Sequence, residues 1–222
     1  VGGSDGNSMD AAVLATSDGH SFRKVVNLIV PVRYAAVVAL GGNIYILGGE
    51  NAQGQMVATV QIVNLASRAV SLGHPLPVQL SGAAAGVLGG TIYVAGGLSG
   101  AGGDSRSTTI YAFDAAHGTF LRAGALPVAV SNAGAVVLAG RLYIVGGETQ
   151  GGAPSAAVQM LEPNRAFGSA GLPGAGSPYF GDELLVADRG NDRLILLDDT
   201  GKVIWTYQTG GGNEYDDVWM LS

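Results

Sequence analysis

The sequence predicts an all-β fold made of repeated four-stranded sheets, and the main reason is a stretch that occurs three times. Tyr34–Glu50 reads YAAVVALGGNIYILGGE, and closely similar stretches occupy Gly82–Leu98 and Asn132–Glu148. Double glycines recur at spacings of 46, 48 and 50 residues, beginning at Gly2, Gly48, Gly96 and Gly146. A repeat of this length is typical of solenoids and propellers. Because it spans about 45–50 residues and shows no helical pattern, it predicts the blades of a β-propeller.

Each repeat is expected to form four strands in a fixed order. Strand a is predicted at Ala35–Leu40 and strand b at Asn43–Leu47, joined by the glycine turn that a two-residue hairpin requires. Both runs are nearly continuous in apolar residues, as in strands that are covered on both faces. A long loop leads to strand c, as at Thr108–Phe113, and a short polar turn leads to strand d. Strand d is expected to end near a proline, which lacks the N–H of the ladder. These prolines are Pro31, Pro77, Pro127 and Pro173.

The repeats resemble those of the kelch family of β-propellers over about residues 1–173. The tyrosine, double-glycine and Leu-Pro motifs carry the resemblance, at Tyr45–Gly49, Tyr93–Gly97, Tyr143–Gly147, Leu76-Pro77, Leu126-Pro127 and Leu172-Pro173. The resemblance implies a half blade followed by three kelch-like blades of four strands. The family's usual tryptophan after strand c is replaced by Phe22, Val70, Phe120 and Phe167. We expect phenylalanine to fill the same space between blades.

A different pattern follows Gly174–Pro178, which is typical of a linker. Three strands are predicted beyond it, at Glu183–Ala187, Arg193–Leu197 and Val203–Thr209. Residues 186–193 resemble NHL-type propeller repeats, and the segment that ends at Trp205 resembles repeats of quinoprotein-type propellers. We therefore expect residues 174–222 to contain an NHL-like blade at about 179–209. This blade either closes the same propeller or starts a second one.

The number of repeats is lower than kelch rings usually have. Residues Val1-Gly2-Gly3 match the end of a repeat, so the chain is expected to begin in the middle of a blade. These observations predict an incomplete ring or a part of a larger propeller protein. The alternative is a small ring of five blades, in which residues 217–221 pair with the N-terminal half blade.

Composition narrows the classes of partner. Apolar residues make up 47% and charged residues 13% of the chain, which indicates an ordered globular protein. The net charge of −6 argues against nucleic acid as a partner, because phosphate binding needs clustered basic side chains. The chain has no cysteine, which excludes disulfides and thiolate metal sites. The apolar runs are far shorter than the roughly 20 residues that span a bilayer, so no membrane insertion is expected.

Antiparallel strands sort the loops of a propeller onto two faces. The d–a and b–c connections are expected on one face, which receives the long loops, and functional residues favour loops on a rigid scaffold. The candidate ligand-binding residues of that face are Arg33, Tyr34, Glu50, Glu148 and, if the fifth unit joins the same ring, Arg189 and Asn191. Arg33 can clamp a carboxylate, although counting from the prolines places Gln79 and Ala129 at the equivalent positions. Glu50 and Glu148 are candidates for an acid–base pair or a cation site, or are solvated loop residues.

The function expected from these features is that of a non-enzymatic module that binds a protein or a glycan. We recognise no catalytic residue set and expect no cofactor and no metal, since the three histidines lie in different units without metal-ligand spacing. The first alternative is a sugar-processing enzyme that resembles bacterial kelch-type sialic acid epimerases and uses Arg33, Glu50 and Glu148. The second is a quinone-cofactor propeller. Low lysine content and the bacterial character of the kelch-like repeats predict an exported protein, either periplasmic, at the cell surface or extracellular.

Overall fold

The chain separates into two compact units, Val1–Leu161 and Glu162–Ser222. In the computed structural model the residues described in full are 1–4, 8–100, 105–138 and 140–161, and the backbone alone is described for strands at 184–188, 193–197 and 203–208. The predicted domain boundary after Pro173 lies outside these residues. None of the described residues belongs to a helix with the length and apolar character needed to cross a membrane.

The described part of the first unit consists of strands, turns and one 3-10 turn at Gln150–Gly152. Its strands, in chain order, are β1 (Ala12–Ala15), β2 (Arg23–Asn27), β3 (Ala36–Leu40), β4 (Asn43–Leu47), β5 (Val60–Asn64), β6 (Val70–Leu72), β7 (Leu80–Ser81), β8 (Ala84–Leu88), β9 (Thr91–Ala95), β10 (Leu98–Ser99), β11 (Ser105–Arg106), β12 (Thr109–Asp114), β13 (Thr119–Ala125), β14 (Gly134–Leu138), β15 (Arg141–Val145) and β16 (Val158–Leu161).

These strands form consecutive small antiparallel sheets, which we name as blades. A half blade, β1-β2, is followed by blade 1 (β3-β4-β5-β6), blade 2 (β8-β9-β12-β13) and the three described strands of blade 3 (β14-β15-β16). The spatial order is the predicted order a to d in blades 1 and 2 and a to c among the described strands of blade 3. Strand b of blade 1 has the predicted bounds, and strand a begins one residue later than the predicted Ala35. The prediction of an all-β fold with four-stranded propeller blades is therefore confirmed.

The hydrophobic core lies between the blades. Alternate residues of a strand point to opposite faces of its sheet, and in strand β4 both faces are covered. Ile46 packs in a cluster with Val13 of the half blade, whereas Tyr45 and Leu47 pack in a cluster with Ile92 of blade 2. Burial on both faces explains why the strand runs are continuously apolar instead of alternating.

The double glycines are required at the places where one blade meets the next. The Gly48 N–H donates to Thr59 O at 2.8 Å within blade 1, and the Gly49 N–H donates to Leu80 O at 2.8 Å in the chain that enters blade 2. Gly48 has φ of +67°, and a Cβ atom there would lie 2.3 Å from Leu80 O. A side chain at Gly48 would therefore face both backbone strain and a backbone clash.

Pro31 does not hold the same place in its repeat as Pro77 and Pro127, so the predicted equivalence of the prolines is wrong there. In the first three pairs the first glycine packs against a leucine, Leu28, Leu76 or Leu126. These leucines are spaced by 48 and 50 residues, as are the tyrosines of the repeat. Pro77 and Pro127 directly follow their leucines, whereas Pro31 stands three residues after Leu28. All three prolines lie outside the strands, so the missing N–H of proline interrupts no ladder at either position.

The aromatic positions that replace the family tryptophan do not share one environment. Phe120 stacks on Phe113 with ring centroids 4.4 Å apart, and Phe113 meets the edge of Tyr45 across the blade interface at 5.9 Å. Phe120 thus fills the space between blades 1 and 2 as expected. Phe22 is 60% exposed, so the same expectation is wrong there. Phe167 lies outside the described residues.

The described backbone of the second unit is a three-stranded antiparallel sheet. Its strands are β17 (Leu184–Asp188), β18 (Arg193–Leu197) and β19 (Val203–Gln208), in that spatial order. The middle strand has the predicted bounds, the first is shifted by one residue, and the third ends one residue earlier than predicted. The NHL-like assignment of this segment stays a prediction.

Candidate ligand-binding face

A small ladder extends each blade on the side of the long loops. The residue three positions before strand a pairs with the residue after the double glycine, which pairs in turn with a residue of the b–c loop. In blade 1 this ladder is Arg33, Glu50 and Met56, and in blade 2 strand β10 lies between β7 and β11. We call the side of the molecule that carries these ladders the loop face.

The ladders correct the predicted positions equivalent to Arg33. Arg33 pairs with Glu50 in blade 1, Ser81 pairs with Leu98 in blade 2, and Ser131 pairs with Glu148 in blade 3. Ser81 and Ser131 therefore occupy the place of Arg33, and the assignment of Gln79 and Ala129 was wrong. That assignment depended on Pro31, which stands at a different place in its repeat from the later prolines.

Arg33 and Glu50 are brought together at the boundary between blades 1 and 2. Arg33 Nε donates to Glu50 Oε2 at 3.0 Å, and Ser81 Oγ donates to Glu50 Oε1 at 3.1 Å. The Glu50 side chain is 16% exposed and that of Arg33 is 38% exposed. A half-buried carboxylate with both oxygens bonded is held in one orientation, so this group is fixed by two neighbouring blades.

Glu148 does not join Arg33 and instead has its own arginine. Arg106 of β11 donates from Nε to Glu148 O at 3.0 Å and from Nη2 to Glu148 Oε2 at 3.2 Å. The Arg106 side chain is 5% exposed, while that of Glu148 is 43% exposed. The sequence placed Arg106 within a long loop without a role. Its pairing depends on which blade that loop reaches, and no local motif of the loop encodes this.

Tyr34 is the most exposed of the candidate residues that the structure describes. Its side chain lies beneath the Arg33 guanidinium, whose carbon is 5.2 Å from the ring centroid, a cation–π contact. The residue is 57% exposed and has φ of 54°, in the left-handed region. The equivalent residues in blades 2 and 3 are Gly82 and Asn132, with φ of 60° and 55°.

Backbone hydrogen bonds connect these three left-handed residues from blade to blade. The Gly82 N–H donates to Tyr34 O at 2.8 Å, and the Asn132 N–H donates to Gly82 O at 2.7 Å. Each blade thus positions the residue of the next blade at the start of strand a. This chain of contacts was not predicted, since tyrosine, glycine and asparagine share no sequence pattern.

The remaining candidates and titratable groups lie elsewhere. Arg189 and Asn191 are outside the described residues. On the c–d turn of blade 2, His117 Nδ1 lies 2.6 Å from Asp114 Oδ2, and this contact is the main cause that lowers the pKa of Asp114. No three His, Asp or Glu side chains among the residues the structure describes form a group that could hold a metal ion.

Comparison with known proteins agrees with this architecture. A model of the Kelch motif matches residues 79–126, which run from the start of β7 to the end of blade 2. A solved structure described as "Structure of YjhT" is similar, with 19% identity and a TM-score of 0.63 over 71% of this chain. The aligned part is 51% of that protein, so the present chain spans about half of its length. No curated protein matches the sequence. The chain is therefore an all-β protein of propeller blades, and its second blade carries a Kelch motif.

Proposed function

We propose that the protein is a non-enzymatic binding module that presents its loop face to a protein or a carbohydrate ligand. The observation that carries the proposal is the bonded group of Arg33, Glu50 and Ser81, which spans two blades. A group that is already fixed in the free protein loses little conformational entropy when a ligand arrives. The terminal nitrogens of Arg33 make no hydrogen bond within the described part of the chain, and they supply donors for the ligand.

Chemical-shift mapping with matched arginine variants tests this proposal. The isotope-labelled protein is titrated with saccharides and with peptides, and the amides of Arg33 and Glu50 are expected to shift most. Arg33→Ala is expected to weaken the binding by about tenfold or more, because a hydrogen bond to a charged group is lost. The control is Arg122→Ala, which removes an exposed arginine on the outer strand β13 and is expected to leave the affinity unchanged. Equal losses in both variants, or shifts confined to the opposite face, would contradict the proposal.

A sugar-processing enzyme is the second candidate function. The observation that favours it is that two carboxylates of the loop face, Glu50 and Glu148, each lie against an arginine, 3.0 Å and 3.2 Å away. Carboxylates acting as general acid and base contribute roughly 10²–10⁴-fold to a rate. We test this by following the anomeric equilibration of free sialic acid by NMR. Acceleration that is lost in Glu50→Gln and Glu148→Gln supports the enzyme, and no acceleration over buffer removes it.

A further inference from the structure

Tyr34, two residues before strand a of blade 1, has a backbone conformation that is unfavourable for a bulky side chain. Tyr34, Gly82 and Asn132 share the left-handed conformation with φ between 54° and 60°. Glycine and asparagine adopt this conformation readily, whereas a bulky side chain there is an outlier. The fold accepts the usual residue types at two of the three equivalent positions, so the blade architecture itself does not require tyrosine at the third.

The surroundings keep Tyr34 in this conformation. The Gly82 N–H bonds to Tyr34 O at 2.8 Å, and the preceding residue, Arg33, is bonded on both its N–H and its carbonyl to Glu50. Disfavoured backbone conformations persist where neighbouring structure over-determines them, and they concentrate at functional sites. A tyrosine in place of glycine or asparagine thus costs backbone stability, and with the residue 57% exposed its ring gains little from burial beyond the contact with Arg33.

The groups around the ring define the chemistry of what it can bind. Arg33 covers one part of the ring from 5.2 Å, and the Glu50 carboxylate lies 3.0 Å from Arg33 Nε. Because the two charges are balanced at contact distance, the group gains little from an anionic or a cationic ligand. It offers an aromatic surface, guanidinium donors and carboxylate acceptors within one small area, which suits a ligand with an apolar C–H surface and hydroxyls at its rim.

We infer that Tyr34 is the ligand-contact residue of the loop face and that its ligand is a neutral saccharide. This inference rests on the proposed binding function and specifies its ligand. The sugar ring lies against the exposed aromatic surface of Tyr34, while its hydroxyls accept from Arg33 and donate to Glu50. Tyr34 contributes to ligand binding but lowers the stability of the fold through its backbone conformation. Replacing it with glycine should therefore raise the stability and lower the affinity.

The test measures thermal stability and glycan affinity in the same variants. The full chain is screened on an array of neutral and acidic glycans, and the affinity for the best neutral glycan is measured by calorimetry. Tyr34→Gly is expected to raise Tm by about 2–4 °C, the shift for roughly one kcal/mol in a protein of this size, and to weaken binding by at least about tenfold. Tyr34→Phe keeps the ring and is expected to retain the affinity within about threefold.

The matched control is Asn132→Gly, which changes a left-handed residue of blade 3 without removing a ring. It is expected to leave glycan affinity unchanged. The inference is overturned if Tyr34→Gly retains the affinity, if acidic glycans bind more tightly than neutral ones, or if no glycan binds. A peptide or protein ligand that binds at Arg33 would overturn the saccharide assignment while keeping the proposed binding function. Binding away from Arg33 would overturn both.

Discussion

Two buried serines in equivalent places of neighbouring blades differ in whether their hydroxyls are hydrogen-bonded. Ser81 is 1% exposed and donates to the Glu50 carboxylate, which follows the double glycine of the preceding blade. Ser131 is 0% exposed, and its hydroxyl has no partner among the described residues. The residue after the preceding double glycine is Leu98 in this case, so the repeat keeps the hydroxyl but not its acceptor. A buried polar group without a partner costs stability, whereas a bonded one does not.

Alanine substitutions at these two serines should therefore have opposite signs. Ser131→Ala is expected to raise the free energy of unfolding by about 1 kcal/mol, because it removes an unpaired buried hydroxyl. Ser81→Ala is expected to lower it by about 1–2 kcal/mol, because the Glu50 carboxylate loses a donor in a half-buried setting. Urea unfolding of both variants measures the difference. A loss of stability in Ser131→Ala would show that its hydroxyl has a partner in the folded protein.

At the scale of elements, strands were predictable and their connections were not. The bounds of β4 follow from an apolar run between a glycine turn and a double glycine, all of which are local signals. The bridge between Arg106 and Glu148 depends on the place to which a loop folds back across a blade boundary. The left-handed conformation of Tyr34 was equally hidden, because tyrosine carries no signal for it. The sequence thus predicted which face carries the candidate residues, whereas the contacts between their side chains became known only from the structure.

The c–d turn of the half blade makes a pH prediction possible. Asp18 accepts from the backbone N–H groups of Ser21 and His20 and from the Thr16 hydroxyl, and these bonds lower its pKa far below the ordinary 3.8. A carboxyl with a depressed pKa in the folded state stabilises the fold above its unfolded pKa, and this contribution is lost as the pH falls below that value. Asp18→Ala is therefore expected to unfold at lower urea concentration than the unmodified protein at pH 7.

The difference in stability between Asp18→Ala and the unmodified protein should shrink in acid. It is expected to stay constant from pH 7 to about 4 and to narrow as the pH falls below the unfolded pKa. Asp18→Asn is the control, since its amide oxygen still accepts the turn hydrogen bonds but does not titrate. If this stability difference is the same at pH 7 and in strong acid, the ionised Asp18 carboxylate is not its cause.

At the scale of the whole first unit, stability resides in the contacts between consecutive blades. Each cluster of buried side chains contains residues from two neighbouring sheets, as with Tyr45 and Ile92 between blades 1 and 2, or Tyr93 and Leu142 between blades 2 and 3. In repeat architectures the stability of a unit is approximately a sum over such nearest-neighbour interfaces. A substitution of one core residue should therefore destabilise two neighbouring blades, and not only the blade that carries it.

Ile92→Ala tests this nearest-neighbour coupling. Ile92 is 0% exposed in strand b of blade 2 and belongs to the cluster shared with blade 1, so its truncation is expected to cost about 2–5 kcal/mol. Amide hydrogen exchange should accelerate together in β4 and β9, since both strands lose the same support. Val136→Ala is the control, because Val136 of β14 is 53% exposed and its truncation should change stability by no more than about 0.5 kcal/mol. Faster exchange in β9 with β4 unaffected would show that blades 1 and 2 open independently, and it would remove the shared core as the source of stability in this unit.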